Sequence, residues 1–599
     1  TAPASLTRPA TGTFSLAKIF DDLARGFSRS KADTYRITTG LSGNFSNGMS
    51  WDAYTQYGRT DRLQTVDNNL VVGDPTLSVS NPATIARSNA RFFFAADAVI
   101  DPATNKATCR ALLSPDAALR AAAAGCVPVN LFGTGNVSEA GKAYIYNQLR
   151  EDIRLEQYVA AANVRGETTD DLLAGPLAFA VGVEYRIDQI SVAHDPLSNV
   201  YAYFQNFGSD YSGKTKVAEG YAEVELPLAK NAPVLGTLTL NGAGRMAYYD
   251  SAGFGSYLRA AASNQFSAVT WKLSANWEPV EWLRFRATQS HDVRAPNFAE
   301  QFLASASSFT PVTNRFVLAN GLPTTNFPSI VNGGSPTVGP EKANTTTIGM
   351  VLAPTGGALD GLRLSIDAYR IRVTDYIGTA PGGVQFLVDR CFGGYTQACQ
   401  FVDRNPQTGA ITTVRNVSLN LDAILAKGID FEAEYRIPLP GDSQLLLRGI
   451  ATYVDTLKTV SLGDVVDRAG QTGSSAGLAA PDLTLNGTVT YAAPRWSMTL
   501  QGRYINGGLY DAQRIGPDDP RYATTLPNSI SDNRVDSRFY LNLFGSVFLD
   551  ADKRFELFGS VANLLDKAPP PAPETQFYTN PVYFDTLGRY YRAGVRVKL

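Results

Sequence analysis

The sequence predicts an all-β protein, a transmembrane antiparallel β-barrel of the outer-membrane type. Two observations lead to this prediction. Apolar and polar residues alternate with a period of two along most of the chain, which is the pattern of strands that bury one face. In addition, short turns alternate with long connections, as expected when short periplasmic turns and longer extracellular loops join the strands of a membrane barrel.

The composition of the chain excludes other classes of protein. Its 599 residues include 53 Lys and Arg against 55 Asp and Glu, a net charge of −2, so no nucleic-acid partner is indicated. No stretch approaches the roughly 20 apolar residues of a membrane-spanning helix, and the richest run, 118–132, contains Arg120 and a proline. The 52 glycines and 33 prolines indicate many turns, and hence many strands.

The alternation is clearest in residues 238–248, where apolar side chains occupy the even positions and more polar ones the odd positions. In the next predicted strand, Trp271, Leu273 and Trp277 fall on one face and Lys272 on the other. Each strand therefore has one face suited to lipid and one suited to water. The same pattern recurs in residues 362–368, 483–491, 497–504 and 589–599.

The lengths of the connections separate a membrane barrel from a soluble sandwich, which would show the same alternation. Turns of a few residues, such as 278–281 and 492–495, alternate with much longer connections. A sandwich has no physical reason to keep all its long loops at one end, whereas a membrane barrel does. The predicted extracellular loops lie near residues 67–154, 296–342, 377–424, 458–481 and 507–537.

The chain as a whole, residues 1–599, is predicted to be one transmembrane β-barrel domain. We count about 17 strands, whereas a complete bacterial barrel has an even number. The first two predicted strands are residues 33–43 and 50–59. An odd count starts on one side of the membrane and ends on the other. We therefore expect the domain to be partial, without its first strands.

The four cysteines form two close pairs, Cys109 with Cys126 and Cys391 with Cys399. Both pairs lie in predicted extracellular loops, where disulfides persist, so we expect two disulfide bonds. Four unrelated buried thiols are the alternative. Zinc is disfavoured, because neither pair has CxxC spacing and the only histidines are His194 and His291.

Basic residues occupy the polar positions of several predicted strands. A Lys or Arg facing lipid at the bilayer midplane costs roughly 2–4 kcal/mol, so these side chains are expected to face the lumen. The predicted lumen-facing residues are Arg245, Lys272, Arg503, Arg592, Arg596 and Lys598.

No pattern in the sequence indicates an enzyme, a cofactor or a metal site. The GxSxG match at 473–477 would make Ser475 a nucleophile, but it lies in a Gly- and Ser-rich loop instead of between a strand and a helix. His291, Asp292 and Arg294 lack a nucleophilic partner. The acidic pieces at 516–520 and 531–536 lack the spacing of an EF-hand calcium loop.

Several segments resemble the barrel motifs of TonB-dependent outer-membrane receptors. RFRATQSHDVRAPNFAEQF (284–302), AKGIDFEAEYRIPL (426–439), ELFGSVANLLDKAPP (556–570) and GRYYRAGVRVKL (588–599) occur in the order found in that family. The segments 109–133 and 217–228 resemble sequences of one large, loop-rich branch.

This resemblance implies a 22-stranded barrel in a bacterial outer membrane, with an N-terminal plug in its lumen and a short TonB-contacting box ahead of the plug. The implied activity is uptake of scarce nutrients such as iron chelates, cobalamin or glycans, driven by the proton gradient through the TonB complex. In this family such lumen residues contact the plug, so the first interpretation of the predicted lumen-facing residues is plug docking and the second is contact with the substrate.

The chain departs from the family pattern, because it shows no TonB box, no plug-like segment and about five strands fewer than 22. The implied partners are outer-membrane lipid and lipopolysaccharide, a plug segment on another chain or missing from this one, the TonB complex and a nutrient. The ligand would be captured by the long loops, without individual contact residues assigned. The alternatives are a structural or adhesive barrel without energised transport, and a secreted all-β binding protein.

Overall fold

The computed structural model describes residue 23 and residues 25–73, 89–304, 306–309, 311–319, 322–474, 478–526, 528–572 and 578–598. Within these residues the main sheet has 18 strands. Seventeen of them are long and form an antiparallel series in which each strand pairs with the next one along the chain; the other, Asp464–Asp467, is short and pairs with the end of one long strand. The fold is the all-β barrel of outer-membrane type that the sequence predicts, with the expected number of strands.

We number the barrel strands along the chain. They are β1 (Phe27–Asn44), β2 (Ser50–Leu70), β3 (Tyr146–Asp171), β4 (Pro176–His194), β5 (Tyr211–Ala232), β6 (Gly236–Gly255), β7 (Ala260–Val280), β8 (Leu283–Arg294), β9 (Glu341–Leu352), β10 (Leu362–Gly378), β11 (Leu419–Leu439), β12 (Ser443–Ser461), β13 (Leu483–Ala492), β14 (Trp496–Ile505), β15 (Arg538–Phe548), β16 (Phe555–Ala562) and β17 (Tyr590–Val597).

Shorter elements lie in the connections between the barrel strands. The helices are Arg91–Ala96, Ala117–Ala122, Glu139–Ile145, Pro196–Asn199, Phe298–Phe302, Gly383–Phe392 and Thr396–Cys399, with 3₁₀ turns at Arg110–Leu113 and Gly357–Leu359. The short strands are Ala98–Ile100, Ala107–Cys109, Ala306–Phe309, Val312–Ala319, Leu322–Asn326, Ser329–Gly333, Val402–Arg404, Ile411–Val417, Gly508–Leu509 and Arg534–Val535. None of the helices in the described ranges has the length and apolar character needed to cross a bilayer.

The pairing of strands follows the chain order throughout. β1 pairs with β2 in unbroken register from Phe27 opposite Asp67 to Asn44 opposite Ser50. Among the described residues β1 and β17 each pair on one side only. The tight turn between β11 and β12 shows how the short connections form, because Gly441 and Asp442 both take positive φ angles, which glycine adopts freely and aspartate tolerates in hairpin turns.

The two faces of the sheet differ in polarity and exposure. On one face, which we call the apolar face, Met246, Leu273 and Ile348 are more than half exposed. On the opposite face, the polar face, side chains such as Ala247 and Ala268 are buried. A continuous exposed apolar surface of this extent is stable when lipid covers it.

The height of the apolar face fits a bilayer. On β6 this face extends from Leu238 to Tyr248, which are 10 residues apart. At ~3.4 Å per residue and a tilt of ~40° these residues lie ~26 Å apart along the membrane normal, close to the ~25 Å apolar band of such barrels.

Aromatic rings lie at the end of the sheet that carries the short turns. The Trp277 ring stacks on Phe285 with 5.4 Å between centroids, and its Nε1 donates to the carbonyl oxygen of Leu235 at 2.8 Å. Trp496 packs against Tyr491 at 4.9 Å. Amphipathic rings at this height favour a membrane interface, where one edge stays wet.

The larger hydrophobic clusters lie in the long connections, beyond the ends of the strands. We call the described parts of these connections, 89–145, 295–340, 379–418, 462–482 and 506–537, the loop layer. One cluster combines residues 90–145 with Leu23, and another combines residues of 312–330 with residues of 380–414 and Leu462. The loop layer is therefore folded, with hydrophobic cores of its own.

Candidate functional site

The polar face carries a network of charged side chains that crosses neighbouring strands. Arg186 on β4 forms ion pairs of 3.0 Å with both Glu184 and Asp188. Gln157 on β3 donates to Asp188 at 2.9 Å, and Arg245 on β6 pairs with Glu219 on β5. Charged groups on this face are thus largely matched with one another, which permits a polar interior without isolated charges.

The basic residues singled out in the sequence are distributed around this face and do not form one cluster. Arg503 donates to the carbonyl oxygen of Tyr583 at 3.0 Å. Lys272 lies opposite Ala243 and Ser290 in the strand register and forms no ion pair among the described residues.

Three of the six basic residues lie at the C-terminal strand: Arg592 and Arg596 are on β17, and Lys598 follows it. The guanidinium of Arg592 lies 4.8 Å from the centre of the Tyr590 ring. Arg596 pairs with Glu556 across the strand pair. The backbone N–H of Lys598 donates to the carbonyl oxygen of Arg554 at 2.8 Å. The structure describes these local contacts; a contact between the six residues and a plug remains a prediction.

The disulfides brace the loop layer, and both form between the cysteines that the sequence pairs. Cys109–Cys126 closes a separation of 17 residues and Cys391–Cys399 one of 8 residues. Cys109 and Cys391 are buried within separate hydrophobic clusters. Closing loops of this length stabilises the folded state by about 3 kcal/mol each in the chain-entropy model.

A cavity of about 720 Å³ opens where three long connections meet, at the long-loop ends of β10, β11 and β12. Its lining includes Arg468, Ser461, Thr459, Gln513, Asp511 and Arg514. Arg468 is only 2% exposed, although arginine is rarely buried without a partner.

The guanidinium of Arg468 is only partly satisfied. Nη1 donates to Thr459 Oγ1 at 2.8 Å and Nη2 donates to Gln513 Oε1 at 3.0 Å, both neutral acceptors. Its Nε and the Oγ of Ser461 are buried and have no hydrogen-bond partner. No Asp or Glu of the described residues forms an ion pair with Arg468. Burial lowers the pKa of the Arg468 guanidinium, while Asp511 and Asp464 act in the opposite direction.

A second feature lies on the apolar face, at the long-loop end of the sheet. Here Arg370 and Arg372 on β10 and Lys427 on β11 share one face with Ile366 and Ile429, which lie closer to the centre of the strands. We call Arg370, Arg372 and Lys427 the basic patch. None of the three forms an ion pair in the described structure, in contrast to neighbouring Lys342 and Lys458, which pair with Asp375 at 3.3 Å and Asp467 at 3.8 Å.

The comparisons with known proteins place this fold in a family. The sequence model of the family "TonB dependent receptor-like, beta-barrel" matches residues 4–564 of this chain. The chain belongs to the TonB-dependent receptor family. Its members are bacterial outer-membrane β-barrels that act as transporters and not as enzymes. The curated proteins contain no match to the chain.

Two solved structures are similar in fold to this chain. The siderophore receptor PirA from Acinetobacter baumannii matches with a TM-score of 0.50 and 13% identity over 94% of this chain and 62% of its own. The copper transporter OprC matches with a TM-score of 0.50 and 12% identity over 94% of this chain and 65% of its own. The chain thus spans less than two thirds of either, and at these identities the likeness concerns the fold alone.

The residues considered for catalysis in this TonB-dependent receptor barrel have structural partners. His291 Nδ1 lies 2.9 Å from Asn344 Oδ1, and Asp292 accepts a hydrogen bond from Ser290 at 2.6 Å. Arg294 forms ion pairs with Glu300 at 2.9 Å and with Glu341 at 2.6 Å, joining the helix Phe298–Phe302 to β9. Ser475 lies outside the described residues.

Acidic residues of the loop segment 516–520 form ion pairs with arginines. Asp518 pairs with Arg534, and Asp519 pairs with Arg521 at 2.7 Å. The hydrogen bonds from Arg521 lower the pKa of Asp519 to about 2. Across the described parts of the chain, no three His, Cys, Asp or Glu side chains come together in a way that could hold a metal ion.

Proposed function

We propose that this chain forms the barrel of an outer-membrane receptor that takes up a scarce nutrient, an iron chelate, a glycan or another large solute, by TonB-dependent movement of a plug. The observation that supports this best is the loop layer. A barrel that served only as a membrane anchor would need no pair of disulfide-braced loop cores. Folded loops with their own cores hold a binding surface in place before the ligand arrives.

In the proposed mechanism the polar face holds the plug by contacts that can be broken and remade. Arg245 and Arg596 keep their charges close to Glu219 and Glu556, so withdrawal of a plug leaves no isolated charge on the wall. Lys272 has no ion-pair partner in the described structure and offers its charge to a plug carboxylate. Lys272 is exposed, and ion pairs of exposed side chains are weak, typically ~0–1 kcal/mol each, which suits a plug that must move under force.

Uptake measured in the bacterium that carries the gene tests this proposal. Cells with and without the gene, each with TonB intact or deleted, are given labelled ferric citrate, a labelled ferric catecholate siderophore or a labelled oligosaccharide. We expect uptake of one of these nutrient classes to fall to background when either gene is deleted and to return when the chain is supplied again in its natural, full-length form. Uptake that is unchanged without TonB, or no nutrient lost in any arm, would contradict the proposal and favour a structural or adhesive barrel.

We also propose that the basic patch binds the phosphate groups of outer-leaflet lipopolysaccharide. The patch continues the apolar face toward the long loops, so it lies at the height of the headgroups when Ile366 and Ile429 face the acyl chains. Cations near an anionic lipid surface contribute about 1 kcal/mol each. Because Arg370, Arg372 and Lys427 have no acidic partner among the described residues, their charges are available to lipid phosphates.

Replacing both Arg370 and Arg372 by Gln is therefore expected to weaken retention of lipopolysaccharide. Losing two cations at about 1 kcal/mol each predicts roughly 30-fold weaker binding, measured as lipopolysaccharide per protein by native mass spectrometry after graded detergent washes. Arg363→Gln is the control, because Arg363 lies on the same strand at the short-turn end. Equal retention by the double variant and by this control would show that the basic patch does not bind lipopolysaccharide.

A further inference from the structure

We infer that the cavity lined by Arg468 and Ser461 is an oxyanion site, which binds a carboxylate or phosphate group of the ligand. The role of this site in transport rests on the proposed function, because the site lies in the loop layer, where a nutrient would first be held. Its binding chemistry, in contrast, follows from the side chains that line it.

The first argument is that no carboxylate of the described residues forms an ion pair with the buried guanidinium of Arg468, although Asp511 and Asp464 act on it from a greater distance. The Arg468 side chain is almost fully buried and its two hydrogen-bonded acceptors, on Thr459 and Gln513, are neutral. Burying a cation without a counter-ion is costly, and proteins normally pair such a group or place it where an anion binds. An oxyanion in the cavity supplies a negative charge in direct contact with the guanidinium.

The second argument is the number of donors still available. A guanidinium has five N–H donors in a planar fork, and Arg468 uses two of them on side-chain acceptors. Its buried Nε has no partner, and neither has the buried hydroxyl of Ser461, which lines the same cavity. Arg468 directly follows the short strand Asp464–Asp467, and Ser461 ends β12. Both residues line the cavity, and their two unsatisfied donors match an acceptor with several oxygens. The fork geometry of arginine suits the paired oxygens of a carboxylate or phosphate.

The third argument is the charge balance of the lining. Arg468 and Arg514 line the cavity together with one carboxylate, that of Asp511. Asp511 already accepts a hydrogen bond from the backbone N–H of Gln513 at 2.9 Å, which closes a local turn. The side chains that line the cavity therefore carry two positive charges and one negative charge, while Asp464 acts on Arg468 from outside the lining. This lining favours anions over cations.

Calorimetric titration of the purified full-length receptor in detergent at low salt tests the site, with citrate, inorganic phosphate and neutral trehalose as probes. We expect saturable binding of citrate or phosphate and none of trehalose, and the stronger of the two anions identifies the group that the site prefers. Arg468→Gln is expected to bind about tenfold more weakly, equivalent to about 1.4 kcal/mol. Ser461→Ala is expected to bind about threefold more weakly, as for the loss of one neutral hydrogen bond. Arg534→Gln, an exposed arginine of the loop layer that pairs with Asp518, is the matched control and should bind like the wild type.

The outcomes separate this site from the wider function. Absence of saturable anion binding by the wild type, or equal binding by the wild type and Arg468→Gln, overturns the inference. If Arg468→Gln fails to fold, the Ser461→Ala variant decides, and wild-type affinity in that variant also overturns the inference. Anion binding together with TonB-independent uptake would leave the site standing and reject the proposed function, whereas TonB-dependent uptake without anion binding would do the reverse.

Discussion

Replacement of Leu273 by Lys is expected to reduce the stability of the barrel in a bilayer by about 2–4 kcal/mol, the cost of a Lys that faces lipid near the midplane. Leu273 is 61% exposed on the apolar face of β7 and lies near the middle of the apolar band, between Trp277 and the polar end of the strand. The ammonium group at this height cannot reach water at either interface without distorting the sheet.

The neighbouring residue supplies the control for this prediction. Ser274 lies on the polar face, opposite Asn241 and Thr288 in the register, so Ser274→Lys places the same charge one residue along in polar surroundings. The measurement is reversible unfolding by guanidinium in phosphatidylcholine vesicles, followed by tryptophan fluorescence. We expect Ser274→Lys to lie within about 1 kcal/mol of the wild type. If Ser274→Lys proves as costly as Leu273→Lys, the assignment of the two faces is wrong.

Much of the barrel could be predicted from the sequence, because its pattern is local. Whether Leu273 and Lys272 lie on opposite faces depends only on the two-residue period of a single strand. The strand count and the two disulfides likewise follow from alternation, turn lengths and close cysteine spacing, all of which are visible within short segments.

The parts that could not be predicted depend on contacts between distant segments. Arg468 is buried because residues near 380, 460 and 513 converge on it. The residues next to it in the sequence do not indicate that burial. The strands also extend beyond the region in which alternation is visible. On β3, Arg150 pairs with Asp152 and Arg154 with Asp61. There the face that is apolar farther along the strand carries these charged residues, while Ile153 and Leu155 lie on the opposite face. The two faces therefore no longer match the lipid-and-water pattern, although the ladder continues.

Replacement of Leu387 by Ala is expected to destabilise the loop layer by about 2–5 kcal/mol, the range for truncating a buried leucine. Leu387 is fully buried on the helix Gly383–Phe392. It belongs to a cluster with Val312 and Ile330 from one long connection and Val414 from the next. A parallel strand pair also joins these connections, with Ile330 opposite Val414. The cavity left by the lost side chain is therefore shared by both connections.

The consequence is that the two connections should open together. Hydrogen exchange followed by mass spectrometry is expected to show faster exchange in Ser329–Gly333 and Ile411–Val417 alike, while the amides of β10 and β11 stay protected. Val465→Ala is the control, since Val465 belongs to the loop layer but is 59% exposed and should leave exchange unchanged. Faster exchange confined to the helix Gly383–Phe392 would mean that the connections fold independently. In that case the loop layer would hold a ligand through separate mobile loops, and the rigid binding surface assumed in the proposed function would be wrong.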